Sequence, residues 1–206
     1  MSEAPTERPW GVRFGAALDY AARLHHQQTR KGKPTPYIAH LLTVAGFAIE
    51  SGADEDEAIA ALLHDAVEDQ GGEETRVEIE RRFGSRVSSL VMALSDSVVD
   101  TREGEEKEPW RVRKERYVAH LAQADASVQL LAACDKLHNL RDLVEDYRLL
   151  GNSVWDRFNA GLQDQLWFYR SVVDCLTHGQ EGIVFRRLRA ALADFEAAVD
   201  EVSSRD

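Results

Sequence analysis

The chain has 206 residues, 44% of them hydrophobic and 30% charged, which suits one globular domain with a real core. Its formal net charge of −11 excludes a partner held along a nucleic-acid backbone, although a local basic cluster can still hold one small anion. Cys134 and Cys175 form no CxxC pair and imply no disulfide framework, and no apolar run approaches the ~20 residues that span a bilayer, so a cytoplasmic protein without a membrane partner is expected.

Residues 1 to 9 are polar, rich in Pro, and read as a frayed tail. From about Trp10 to Gln28, Phe14, Ala17, Leu18, Ala21 and Leu24 recur at helical spacing, and the helix runs out in His25-His26-Gln27-Gln28. Residues 29 to 36 form a Gly- and Pro-containing loop that carries Arg30, Lys31 and Lys33 within an acidic protein. Tyr37 to Glu50 resumes the helical pattern and Gly52 stops it. Asp54 can cap a helix running to about Asp69, and Gly71-Gly72 is the next stop.

Glu73 to Phe83 and Ser85 to about Ser97 read as two helices broken at Gly84. Asp100 to Pro109 reads as a mobile acidic loop. Trp110 to Ala122 is a helix with a basic start, and Ser127 to Leu150 is a long helix ended by Gly151. Residues 154 to 177 and 182 to 202 complete the set; the last helix has either this core or another subunit to pack on, so a homo-oligomer stays open as an arrangement. No strand alternation or hairpin signal intervenes, and the fold class is all-α.

The octad Leu62-Leu63-His64-Asp65-Ala66-Val67-Glu68-Asp69 is the centre of the chain. Its spacings of three and four put His64 and Glu68, and likewise Asp65 and Glu68 or Asp69, on neighbouring parts of one helical surface, beside an apolar stripe. His and three acids beside buried leucines are costly unless they have partners or a role. His40 on the preceding helix and Asp135 deep in the long helix complete a set of two imidazoles and two carboxylates. That donor set suits a mid-row divalent ion, Mn²⁺, Fe²⁺ or Zn²⁺, better than Mg²⁺ or Ca²⁺. Such an ion can activate water and polarise a phosphoryl oxygen.

These four residues, in this order, resemble the HD-domain metal-dependent phosphohydrolases. Arg30-Lys31-Gly32 with Pro36-Tyr37-Ile38-Ala39-His40, then the octad, then Asp135-Lys136-Leu137-His138-Asn139-Leu140-Arg141, look more closely like the hydrolase domain of RelA/SpoT proteins, the small alarmone hydrolases of the stringent response. The resemblance spans roughly residues 10 to 175. It implies a single helical bundle over 10–178, with 179–206 as a C-terminal helix packed on it, and removal of the 3′-pyrophosphate of (p)ppGpp with Mn²⁺.

Carried onto this sequence, the resemblance makes His40, His64, Asp65 and Asp135 the metal ligands. It makes Glu68 and Asp69 the residues that orient or deprotonate water, gives Arg30 and Asn139 the guanine base, and sets Lys31 near the base or a phosphate. The chain departs from the family at Lys136, where Arg is usual, and at Leu41, where Pro often follows the His. The stretch 96 to 117 does not match. That departure keeps open a second substrate, another nucleotide or a phosphorylated nicotinamide cofactor, and a third reading is a non-catalytic binding protein. His138 is expected behind the site or in packing. Arg113 and Lys114 are expected on a solvated face or in salt bridges to the acidic loop rather than on phosphate, and Trp110, Trp155 and Trp167 in the core. His25, His26, His120 and His178 receive no role.

Overall fold

The computed structural model describes residues 11–95 and 108–204. The N-terminal tail, Trp10, the ends of the helix expected to Ser97 and most of the acidic loop lie outside the described residues. Among those described, every regular element is helical: α1 Val12–Leu24, α2 Ile38–Glu50, α3 Glu55–Leu63, α4 Ala66–Gln70, α5 Gly72–Phe83, α6 Ser85–Leu94, α7 Trp110–Leu121, α8 Ala126–Leu150, a 3-10 turn Gly151–Arg157, α9 Leu162–Thr177 and α10 Ile183–Ser203. The chain is all-α, as expected, and no helix among the described residues is long and apolar enough to cross a membrane.

Local chemistry sets the boundaries. Asp54 Oδ1 accepts from the Glu57 amide at 3.0 Å while Glu57 Oε2 accepts from the Asp54 amide at 2.7 Å, a reciprocal cap that starts α3. Asp125 caps α8 one way, its Oδ1 accepting from the Val128 amide at 2.9 Å. Gly84, at φ 94°, separates α5 from α6 in a conformation that a β-carbon would strain.

Three expectations need correction. The first helix ends at Leu24; of the polar run that follows, His25 is buried and His26 and Gln27 are exposed. The stretch 154 to 177 is two elements, a 3-10 turn and α9, with residues 158–161 between them. The octad, too, is not one helix: α3 stops at Leu63 and α4 starts at Ala66. His64 explains that break. Its Nδ1 takes the Ala61 carbonyl at 2.8 Å, the acceptor that an unbroken helix reserves for the Asp65 amide.

α8 is the central rod, and α2, α3, α6, α9 and α10 pack on it. Leu131, Leu137, Leu140 and Tyr147 of α8 are buried against a core that includes Leu41, Leu62, Leu63 and Phe195. Each such side chain contributes about 1.5–3 kcal/mol on burial. α10 lies along α8 and α9 through Val184, Leu188, Phe195 and Val202, with Phe195 edge-on to both Tyr147 and Tyr169. This packing fixes the start of α2, the end of α3 and the middle of α8, which carry the candidate ligands.

Candidate metal centre and nucleotide cavity

His40 lies in the first turn of α2, His64 and Asp65 in the break between α3 and α4, and Asp135 in the middle of α8. Their donor atoms converge. His64 Nε2 is 3.2 Å from His40 Nε2 and 3.0 Å from Asp65 Oδ2. Asp135 Oδ1 is 3.3 Å from His40 Nε2 and 3.5 Å from His64 Nε2. Consecutive residues of a straight helix point about 100° apart; the break after Leu63 is what lets His64 and Asp65 meet. Both histidines and Asp135 are buried and Asp65 is half-buried.

The outer contacts fix each group. The Ala61 carbonyl holds the proton of His64 on Nδ1, leaving Nε2 of the neutral ring bare. His40 Nδ1 is 2.7 Å from His138 Nδ1. The Tyr37 hydroxyl donates to Asp65 Oδ2 at 2.5 Å. Asn139 Nδ2 donates to Asp135 Oδ1 at 2.6 Å, and Lys136 Nζ to Oδ2 at 2.5 Å.

Burial opposes charge on both carboxylates, but their cationic and imidazole neighbours outweigh it. Asp135 stays well below the usual carboxylate range beside Lys136, His40 and His64, and Asp65 does so beside His64 and His40. Burial likewise disfavours a charged His64, and the two carboxylates more than reverse this, holding its pKa well above 6.5. Two imidazole nitrogens and two carboxylate oxygens aimed at one point need a positive charge between them. The protein alone supplies a proton; a divalent cation fits the donor set. His40, His64 and Asp65 form a metal-capable group, and Asp135 closes it from α8.

A cavity of about 500 Å³ opens beside this centre. Tyr37, Asn139 and Lys136, the partners of Asp65 and Asp135, form part of its wall, with Gln28, Arg30, Lys31, Asp69, Lys114 and Asp142. Trp110, Phe158, Phe168 and Tyr169 add aromatic surface. Arg30, Lys31 and Asn139 thus meet in one cavity. The loop that carries the first two is closed by a bridge between Thr29 and Pro36. It is pinned to α8, with Arg30 Nη2 donating to Asn139 Oδ1 at 2.8 Å and Asp142 Oδ2 at 3.1 Å. Lys33 pairs with Asp142 and with Asp146, the latter at 2.9 Å. Asn139 therefore ties the basic loop to Asp135 in addition to lining the cavity.

Asp69 lines the cavity and accepts from Gln28 at 2.8 Å; Glu68 is half-buried in the first turn of α4. One further expectation fails. Lys114 is not on a solvated face: it is half-buried, lines the cavity, and sits 5.0 Å from the centre of the Phe168 ring. Trp110 is a cavity wall as well as a packing residue, edge-on to Trp167 and Phe168. Tyr37 and His25 were missed. A Tyr three residues before a candidate ligand on a helix start was the available signal for the first, since i and i+3 share a face.

A helical bundle with His and Asp donors gathered from α2, the α3–α4 break and α8 has the architecture of a metal centre built between helices. The chain belongs to the HD domain family, whose model matches residues 17–161. It is 38% identical over 130 residues to the guanosine-3′,5′-bis(diphosphate) 3′-pyrophosphohydrolase MESH1 of Xenopus tropicalis, covering 62% of this chain and 67% of that one. The Aquifex aeolicus guanosine-3′,5′-bis(diphosphate) 3′-pyrophosphohydrolase is 37% identical over 62% of this chain but only 17% of its own length. A solved metazoan ortholog of SpoT, described as hydrolysing ppGpp, superposes with a TM-score of 0.63 at 27% identity, covering 95% of this chain and 96% of that one.

Proposed function

We propose that this chain is a metal-dependent phosphohydrolase that removes the 3′-pyrophosphate of (p)ppGpp, yielding GDP or GTP and pyrophosphate. The observation that carries the reading is the convergence of His40, His64, Asp65 and Asp135 beside a cavity walled by cations and aromatic rings. It agrees with the activity for which the relatives are named.

His40, His64, Asp65 and Asp135 hold the cation, which we take to be Mn²⁺, with Fe²⁺ or Zn²⁺ as substitutes. When bound, such an ion supplies a water of lowered pKa and a positive charge for a phosphoryl oxygen. Tyr37 fixes Asp65, while Asn139 and Lys136 fix Asp135. Glu68 and Asp69 orient the attacking water and accept its proton. Arg30 stacks on or hydrogen-bonds the guanine with Asn139, and Lys31 neutralises phosphate. In an acidic protein this local cationic wall is what draws a polyanion to the cavity. We take the protein to be cytoplasmic, with a small nucleotide as its partner.

Trp110 and Lys114 favour a second reading. They bring α7 into the cavity from the stretch where the sequence departs from the alarmone hydrolases, and a different nucleotide, including a phosphorylated nicotinamide cofactor, would meet them. Turnover of a panel containing ppGpp, GTP, ATP, NADP and NADPH decides between the two. Selective loss of ppGpp supports the first reading, and faster turnover of another member replaces it.

A further inference from the structure

His25 is buried, 3% exposed, and its ring stacks on Tyr37 with centroids 5.4 Å apart. Its Nδ1 lies 2.7 Å from Gln28 Oε1, whereas its Nε2 is buried without a partner. The ring proton therefore belongs on Nδ1, the nitrogen that has an acceptor. Gln70 Nε2 donates to the same Gln28 Oε1 at 2.5 Å. An oxygen that meets two donors fixes which way the amide faces, so Gln28 Nε2 points to the cavity side, where it donates to Asp69 Oδ2 at 2.8 Å. Burial also keeps His25 on the neutral side of its range, against Gln28, in keeping with a ring that serves as a fixed donor.

We propose that Gln28 is a positioning residue for Asp69, with His25 and Gln70 locking the orientation of its amide. The inference rests on the reading of Asp69 as a residue that orients the attacking water. Asp69 is exposed on the five-residue helix α4. A donor held by His25 at the end of α1 and by Gln70 of α4 itself favours one of its rotamers. The anchoring runs from the end of α1 through Gln28 to α4, and both Gln28 and Asp69 line the cavity. Misplacement of a reacting group by about 1 Å can cost ~10²-fold in rate, so the loss of this anchor falls on kcat.

The test is a double-mutant cycle on the full chain loaded with Mn²⁺, using ppGpp and reading kcat, KM, bound metal and the melting midpoint. Gln28→Leu is expected to lower kcat about 10- to 100-fold with KM within twofold and metal content unchanged. His25→Phe, which keeps the stack on Tyr37 and removes the donor, lowers kcat less. On an Asp69→Ala background Gln28→Leu has no further effect, because both act through one carboxylate. Losses that multiply in the double variant overturn the proposal. Unchanged kcat in Gln28→Leu overturns it too, and unchanged kcat in Asp69→Ala overturns the role given to Asp69 together with it. Wild-type protein that leaves ppGpp intact and cleaves another nucleotide of the panel overturns only the substrate reading, and the same cycle on that nucleotide then decides the role of Gln28.

Discussion

His40 and His138 meet through their Nδ1 atoms at 2.7 Å, so one ring donates and the other accepts. His138 is held neutral: burial first, with the positive charge of Arg30 adding to it, pushes its pKa down to about 4. With Nε2 of His40 bare toward the ligand cluster, His40 donates from Nδ1 and His138 accepts. His138 thus sets the tautomer and ring plane of a candidate ligand without touching the cluster.

Replacing it should therefore weaken metal binding rather than unfold the protein. His138→Phe is expected to lower metal affinity about 10- to 100-fold, with the melting midpoint of the metal-free chain little changed. A metal titration by calorimetry checks this. Unaltered affinity would remove His138 from the site.

Glu68 and Asp69 are assigned to water rather than to the cation. Glu68→Ala should reduce kcat by about 10²–10⁴-fold while bound metal, read by elemental analysis, stays at the wild-type ratio. Normal turnover in Glu68→Ala would refute its role. Loss of metal would move it into the ligand set.

The basic loop depends on Gly32, whose φ of 72° is unfavourable for any residue with a β-carbon; a methyl group there would lie 2.4 Å from Arg157 Cδ. Arg157 and Lys33 both pair with Asp146, so displacing one disturbs the other. Gly32→Ala should raise KM several-fold and cost about 1–2 kcal/mol of stability. Gly52, at φ 91° with open space around it, is the control: Gly52→Ala should cost stability and leave KM alone.

The cap at Asp54 gives a pH signature. Burial works against its ionised form, but the Glu57 amide and Arg86 outweigh it, and its pKa is lowered. A depressed carboxylate stabilises the fold above its unfolded pKa of about 3.9, and that contribution is lost as pH falls through the folded value. Asp54→Ala should be about 1 kcal/mol less stable at neutral pH, and the gap should close below about pH 4. A gap that persists in acid, measured by urea unfolding, would contradict this.

The ligand set was legible because chemistry restricts it: two His and two Asp on helices with apolar neighbours have few reasons to coexist. Helix positions were legible where Asp54, Gly84, Gly151 and the apolar period agreed. The break at His64 was not, because Leu62, Leu63, Ala66 and Val67 keep the apolar pattern running across it. Only a side chain taking a backbone carbonyl interrupts the helix there. Lys114 was misread because a basic helix start looks the same whether it faces solvent or a cavity. The His25–Gln28–Asp69 chain was invisible since it joins residues 44 apart in a polar run that carries no periodicity.

The most direct test is pyrophosphate release from ppGpp by the purified chain with added Mn²⁺, with and without a chelator. The account predicts release that the chelator abolishes and that fresh Mn²⁺ restores. Release that is unaffected by removing the metal would contradict the metal-centred chemistry assigned to His40, His64, Asp65 and Asp135. A metal-loaded protein that leaves ppGpp intact would contradict the assigned substrate.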